Sequence, residues 1–338
     1  MEKESKFELH NVAEADEKTL EKIDSFILDN KTNGEFVNSL KYLSYHPIDR
    51  FQSDSVYVID KGSKEVRGVM LAALDPHDNT CLVSHPGTSF AGPIISRTTS
   101  ILAIEEIVNL MLDYYEAKYK TIVIRPKPEY FSLQPVECVP FFLLKRGYEY
   151  GMVGISNVVN ISQIESPEDL FAMYDSGKRN HTRKVLKSEK FVFEKLDEIK
   201  DTVWDNLSNT LSSKHGVNVV HTLEEIRRLR NMFPENICAY YANMPSGEYG
   251  ASSIVYKYKD VFHTQYLDVN YKYANEYPNL LLFYEMFLVA KKEGYKRFSI
   301  GISSEDGGRY LNQGLYNYKA GYGGGSIIQS KYTRKMGE

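Results

Sequence analysis

Phe141-Phe142-Leu143-Leu144-Lys145-Arg146-Gly147-Tyr148 and Gly314-Leu315-Tyr316-Asn317-Tyr318-Lys319-Ala320-Gly321-Tyr322 end two successive stretches of chain in the same way. Each carries Lys-x-Gly-Tyr after an apolar helical turn, and the two lysines stand 174 residues apart. Upstream of each lies a short β-branched run, at 121–125 and 297–302, and before that a long helical pattern, at 100–118 and 279–292. Further back stand strand candidates at 55–60, 66–74 and 81–84 in the first half, and at 237–243, 249–257 and 261–269 in the second. Turn clusters such as Asp75-Pro76-His77-Asp78-Asn79 and Tyr258-Lys259-Asp260 join them as meanders. The repeated order predicts a duplicated α+β chain, each copy a mixed, mainly antiparallel sheet flanked by helices, with domains at 1–162 and 163–338. Two unrelated α/β domains are the alternative.

Helix starts are marked in both halves. The hydroxyl run Ser96, Thr98, Thr99 and Ser100 marks the start of the helix at 100–118. Ser166 precedes Pro167 as N-cap, and Thr222 with Glu225 three residues later forms a capping-box pattern. Further helices are expected at 178–186, 197–214 and 309–318.

Composition bounds the rest. Hydrophobic residues make up 42% and charged residues 25% of the 338, which is ordinary for a folded chain. With 41 Lys and Arg against 45 Asp and Glu, the formal net charge is −4, so no global positive field holds nucleic acid non-specifically. Cys81, Cys138 and Cys238 are far apart and form no Cys-x-x-Cys pair, which speaks against a disulfide framework or a thiolate zinc site. No histidine pair at i, i+4 and no calcium-loop spacing appears. The N-terminus lacks a signal-peptide pattern and apolar runs are too short to span a bilayer, so a cytoplasmic protein is expected.

Several motifs recur in a fixed order: Tyr45-His46-Pro47 with Arg50-Phe51, His85-Pro86-Gly87-Thr88-Ser89-Phe90-Ala91-Gly92, Lys178-Arg179-Asn180 running into Arg183-Lys184, Lys214-His215, Phe262-His263-Thr264-Gln265-Tyr266, and Gly301-Ile302-Ser303-Ser304-Glu305-Asp306-Gly307-Gly308-Arg309-Tyr310-Leu311-Asn312 leading to Lys319. With the meander, long helix, strand and short helix, they resemble the FemAB-like branch of the GNAT acyltransferases, in which two GNAT domains are fused. The resemblance implies acyl transfer to an amine, with the donors for the developing oxyanion being main-chain N–H groups where two neighbouring strands splay apart. It places the chemistry in the second domain, with the first supplying part of a cleft. The acceptor it implies is a nucleotide- or lipid-linked amino sugar in surface-polysaccharide or cell-envelope synthesis, and the donor acyl-CoA. Aminoacyl-tRNA-dependent peptide-bond formation on a peptidoglycan precursor, and a non-catalytic binding module, are the alternatives. The chain departs from the acetyl-CoA enzymes in one respect: neither 95–100 nor 269–278 has the glycines that let main-chain amides cradle a pyrophosphate. The long helical arm of tRNA-dependent relatives is also missing from 187–214.

In relatives the lysine at Lys319 lies at the reaction site, where its cation faces an oxyanion or a phosphate; a solvated helix-end lysine is the other reading. His263, with Val261 and Gln265 on its own strand face, is a candidate general base or a hydrogen-bonded structural histidine. Tyr266 and Gln265 are alternative polar contacts to a substrate, one on each face of that strand by simple alternation, and Tyr266 is a second candidate to carry the proton. His46 and Arg50 could read an anionic acceptor or cap a loop. His85 and Ser89 offer hydroxyls and N–H groups to a sugar or phosphate, or make a tight turn. Arg179 stands with Lys178, Arg183 and Lys184 as either a phosphate clamp or a solvated face. Lys214 and His215 come in with the motif before the strands. Ser303, Asp306 and Asn312 surround Gly307-Gly308 in a loop that can aim amides at an anion or simply turn the chain.

Overall fold

Three helix starts are made by the side chains expected to make them. Ser100 accepts the Ala103 N–H at the head of helix Ile101–Glu116. Reciprocal capping boxes, Ser166 with Asp169 and Thr222 with Glu225, open Pro167–Met173 and Leu223–Met232. Each satisfies donors that a first helical turn leaves unpaired.

The computed structural model describes residues 5–134, 136–215 and 219–337, with the side chains at 211 and 213–215 also outside the described set. The chain forms two compact units, one of residues 1–153 with 328–338, the other of residues 154–327. Among the described residues no helix is long and apolar enough to cross a membrane.

In the first unit, helix Ile101–Glu116 buries Ile104, Ile107, Val108, Met111, Leu112 and Tyr115, a spacing of three and four that makes one apolar face. That face packs with Val56, Val58, Met70, Leu82, Ile122 and Ile124 from the strands. Strands Phe7–Asn11, Val56–Asp60, Val66–Met70 and Ile94–Ile95 pair antiparallel in that order. The expected strand at 66–74 is broken, its second piece Ala73–Asp75 pairing instead with Asp78–Val83. Asp78–Val83 runs parallel to Thr121–Ile124.

The second unit pairs residues 156–160 of strand Glu149–Asn160 with Arg297–Ile302, then adds Val261–Val269, Tyr249–Lys257, Ile237–Asn243 and Val192–Leu196. All pairs are antiparallel except Val261–Val269 with Arg297–Ile302. Helix Pro278–Lys292 buries ten side chains against this sheet, among them Phe283 and Phe287, which meet Phe298 and Tyr322. The expected helix at 309–318 begins only at Gln313, because Asn312 caps it; before it Ser304–Glu305 pairs with Tyr310–Leu311 around left-handed Asp306, Gly307 and Gly308.

The units do not follow the expected division at 162/163. The strand that ends the first repeat completes the sheet of the second unit, and the strand that ends the chain, Gly325–Lys335, pairs with Thr121–Ile124 in the first. Main-chain pairing is indifferent to which repeat supplies a strand, so a loop boundary read from sequence misses the exchange. Tyr332 is buried in the first unit's core, and Arg334 donates to Glu116 and to the Arg146 carbonyl. Tyr332→Ala should therefore lower stability by about 3 kcal/mol in urea unfolding and speed amide exchange in Thr121–Ile124. Unaltered exchange there would contradict the assigned role of the last strand.

Candidate functional site

Strand Val261–Val269 carries the candidate proton carriers, and a bulge decides where they point. Thr264 pairs with Val255 and Tyr266 with Ile254, so Gln265 is an extra residue without a partner in the ladder. The insertion shifts the alternation by one. Tyr266 thereby joins His263 on one face, where simple alternation had put it on the other, and Phe262 faces the core with Phe283 and Phe298. The Gln265 side chain hydrogen-bonds to both His263 and Tyr266.

The parallel neighbour Arg297–Ile302 leaves this strand early. Their pairing runs Val261↔Arg297, Phe262↔Phe298, His263↔Ser299 and ends there. On its other side the same strand slips register between Ser299 and Gly301, and Gly301 takes φ +83°, a left-handed conformation open to glycine. The two parallel strands thus separate at His263, the splay that the family resemblance implies.

Three groups converge on the separation. His263 Nδ1 lies 2.9 Å from Ser299 Oγ. A Cβ on Gly301 would stand 3.5 Å from the Thr264 carbonyl oxygen, 3.8 Å from His263 Cε1 and 3.9 Å from Lys319 Nζ. Lys319, on helix Gln313–Ala320, is 7% exposed and its ammonium donates to the Ile302 carbonyl. Burial lowers its pKa to about 8. Burial, and then repulsion from Lys319, hold His263 down at about 4. At neutral pH the pair is therefore a cationic lysine beside a neutral imidazole. Lys145, the corresponding lysine of the first repeat, has a different fate: its side chain is 60% exposed and pairs with Glu105 at 2.6 Å.

Tyr266 is held by a residue that the sequence reading did not single out. Its hydroxyl lies 2.6 Å from Nδ1 of buried His221, whose main chain also hydrogen-bonds to it, and Trp204 packs on its ring. Burial pushes the phenol's pKa above its ordinary range, so it keeps its proton. His221 and Ser299 stand far from the motif in sequence, and no local pattern marks them. Gly301 opens one of the quoted motifs, and a glycine late in a strand pattern signals a bulge or a close approach.

The other expected residues divide. Ser303 is buried with Oγ on Asn157 at 2.7 Å. Asn312 accepts the Leu315 N–H as a helix cap, and Asp306 pairs with Arg309 at the surface. Arg179 donates to the Tyr174 carbonyl. Lys214 and His215 fall outside the described side chains. In the first unit the structure brings His46, Arg50 and His85 together: the two imidazoles stack at 6.0 Å, Phe51 is edge-on to both, and Arg50 reaches His46 Nδ1 at 3.4 Å. Gly87 donates its N–H to His85 Nδ1, and burial drops the His85 pKa to about 3, so this ring is neutral. Ser89 is exposed in the same loop. Among the described residues no group of His, Cys, Asp and Glu could hold a metal ion.

Where the strands separate, His263, Thr264 and Lys319 stand around Gly301. The helix start beyond it does not offer a main-chain phosphate cradle. Pro278 at the first position has no N–H, it and Phe191 pack on Gly250, and the Asn279 side chain donates to the Tyr318 hydroxyl at 2.6 Å.

Residues 172–320 match the family model described as Acetyltransferase (GNAT) domain. Among solved structures the chain is similar to FemX, at 11% identity over 97% of both chains with a TM-score of 0.68. It is also similar to the tandem GNAT protein from the clavulanic acid biosynthesis pathway, at 11% identity over 98% of this chain and 99% of that one, TM-score 0.59. A third likeness is to L-PGS from Bacillus licheniformis, at 15% identity over 96% and 93%, TM-score 0.55. At these identities the likeness is one of fold. No curated protein matches the sequence.

Burying an ammonium without a carboxylate costs stability. Between about pH 8 and 10.5 the folded chain holds fewer protons at Lys319 than the unfolded chain, so stability should climb with pH across that window. Lys319→Met should remove this slope and raise stability at pH 7 by about 1–3 kcal/mol in urea unfolding. A destabilised variant with the slope intact would show that the charge is not buried as described.

Proposed function

We propose that this chain, a GNAT-superfamily acyltransferase of FemAB-like build, transfers an acyl group from acyl-CoA to the amine of a nucleotide- or lipid-linked amino sugar in surface-polysaccharide or cell-envelope synthesis. The observation that carries the reading is the meeting of a buried ammonium, Lys319, and a neutral imidazole, His263, at Gly301 where the parallel strands part. A carbonyl held in that slot would have the Lys319 charge fixed beside its oxygen as negative charge develops there, and a preorganised charge in a dry site is worth far more than in water. The attacking amine must be neutral and must lose a proton as the C–N bond forms. His263, uncharged at working pH, can accept it and return it to the leaving thiol as the C–S bond breaks. Repulsion from Lys319 keeps the imidazole unprotonated beforehand. Tyr266, its hydroxyl tied to His221, orders the face on which His263 stands. For an anionic group on the acceptor, the first unit taken by itself offers the Arg50 guanidinium beside the His46 ring and the neutral His85 ring, a set suited to a sugar diphosphate.

The test is an assay of thiol release and of N-acylated product, with a panel of acyl-CoAs against nucleotide-linked amino sugars. Lys319→Met is expected to lower kcat by about 10²–10³-fold while the fold is retained. At saturating acceptor, kcat should be level from about pH 5.5 to about pH 7, because His263 has already lost its proton, and should fall above about pH 8 as Lys319 loses its charge. Transfer from aminoacyl-tRNA but from no acyl-CoA would overturn the donor, and a level profile through pH 9 would remove Lys319 from its role.

A further inference from the structure

Helix Ser176–Ser188 has two basic faces, and the structure uses them differently. Arg179 and Arg183 serve the fold: one bonds the Tyr174 carbonyl, the other lies over the Phe171 ring at 4.9 Å. Lys178, His181 and Lys184 follow one another at steps of three, a single stripe along the helix. The Lys178 ammonium sits 3.8 Å over the ring of Tyr318 and 4.2 Å over that of Tyr322, and among the described residues no carboxylate forms an ion pair with it. Asp175 instead accepts the Lys178 main-chain N–H at 2.7 Å. Burial lowers the Lys178 pKa to about 8, against a smaller opposing pull from the Asp175 carboxylate.

One turn on, His181 and Lys184 line a pocket of about 340 Å³ together with Ser188, Lys190, Phe191 and Tyr277. This is the lower end of the size range for small-ligand sites. The His181 ring is stacked on Tyr277 at 4.6 Å, and Lys190 is paired with Glu276, so that carboxylate is already neutralised. The pocket lies beside the start of helix Pro278–Lys292, where the main chain offers no phosphate cradle. Tyr318, which carries the Lys178 ammonium on its ring, accepts from Asn279 at that same start and is the neighbour of Lys319. Lys184, the stacked rings of His181 and Tyr277 and an apolar wall from Phe191 thus line one pocket, and Lys178, outside its lining, stands one turn back from His181 on the same helix.

We infer that the pocket beside Tyr277, with the Lys178, His181 and Lys184 stripe, binds the phosphorylated adenosine end of the acyl donor, side chains here replacing a main-chain cradle. The inference rests on the reading of the donor as acyl-CoA, and its test is made independent of turnover. Isothermal titration of adenosine 3′-phosphate 5′-diphosphate into the full chain should show saturable binding. Lys178→Met and Lys184→Ala should each weaken it about tenfold, and Lys184→Arg should restore most of the loss. Plain adenosine should bind weakly and be indifferent to all three changes. Absence of binding, binding untouched by the substitutions, or a CCA-ended RNA minihelix that binds while the bisphosphorylated nucleotide fails to compete would each overturn the site. If the nucleotide binds as described but no acyl-CoA supports transfer to any amine, the proposed reaction falls and the pocket stands; transfer with unaffected variants gives the reverse.

Discussion

Three residue pairs, from Val261↔Arg297 to His263↔Ser299, hold the two parallel strands of the second unit together before they part. The site follows from that short contact. A longer ladder would join the strands with main-chain hydrogen bonds past His263 and leave no separation beside Gly301. The bulge at Gln265 and the left-handed Gly301 bend the two strands in the stretch where they separate, and both cost regularity in an otherwise well-paired sheet. The phenylalanine core beneath, Phe262, Phe283, Phe287 and Phe298, supplies the rigidity that lets such irregular backbone persist.

Duplication gave two copies of the same terminal signature, and packing made them unequal. Lys145 lies at the surface against Glu105, where solvent screens it and its charge does little. Lys319 lies against the Ile302 carbonyl, where burial makes its charge costly. The first unit kept a parallel pair of its own, Asp78–Val83 with Thr121–Ile124, and near its end stands a neutral histidine, His85, rather than a lysine. The two copies thus differ in the environment of a few side chains, on sheets of similar design.

The exchange of final strands ties the copies in another way. Each unit is completed by a strand from the end of the other repeat, so neither repeat contains in its own sequence all the pairing that its sheet requires. Burial of Tyr332 and the Arg334 bonds to Glu116 and Arg146 fasten the last strand with side chains as well as main chain. Such pairings bring together residues far apart in the chain, so each carries the entropic cost of closing a long loop.

By itself the sequence determined what is local: the capped helix starts at Ser100, Ser166 and Thr222, the three-strand meander before helix Pro278–Lys292, and the repeated order that disclosed the duplication. These are set by spacing and by main-chain donors that near neighbours satisfy. It also offered Lys319 and His263 as candidates, through a resemblance carried by contiguous motifs. Tertiary structure alone decided that Tyr266 shares a face with His263, since one bulged residue reverses every later side chain and leaves no mark in composition. It decided that His221 and Ser299 are their partners, that Lys145 is not a second Lys319, and which repeat supplies each closing strand. The reason is common to all four: burial, register and charge environment are sums over residues distant in the chain, whereas a motif records only those adjacent to it.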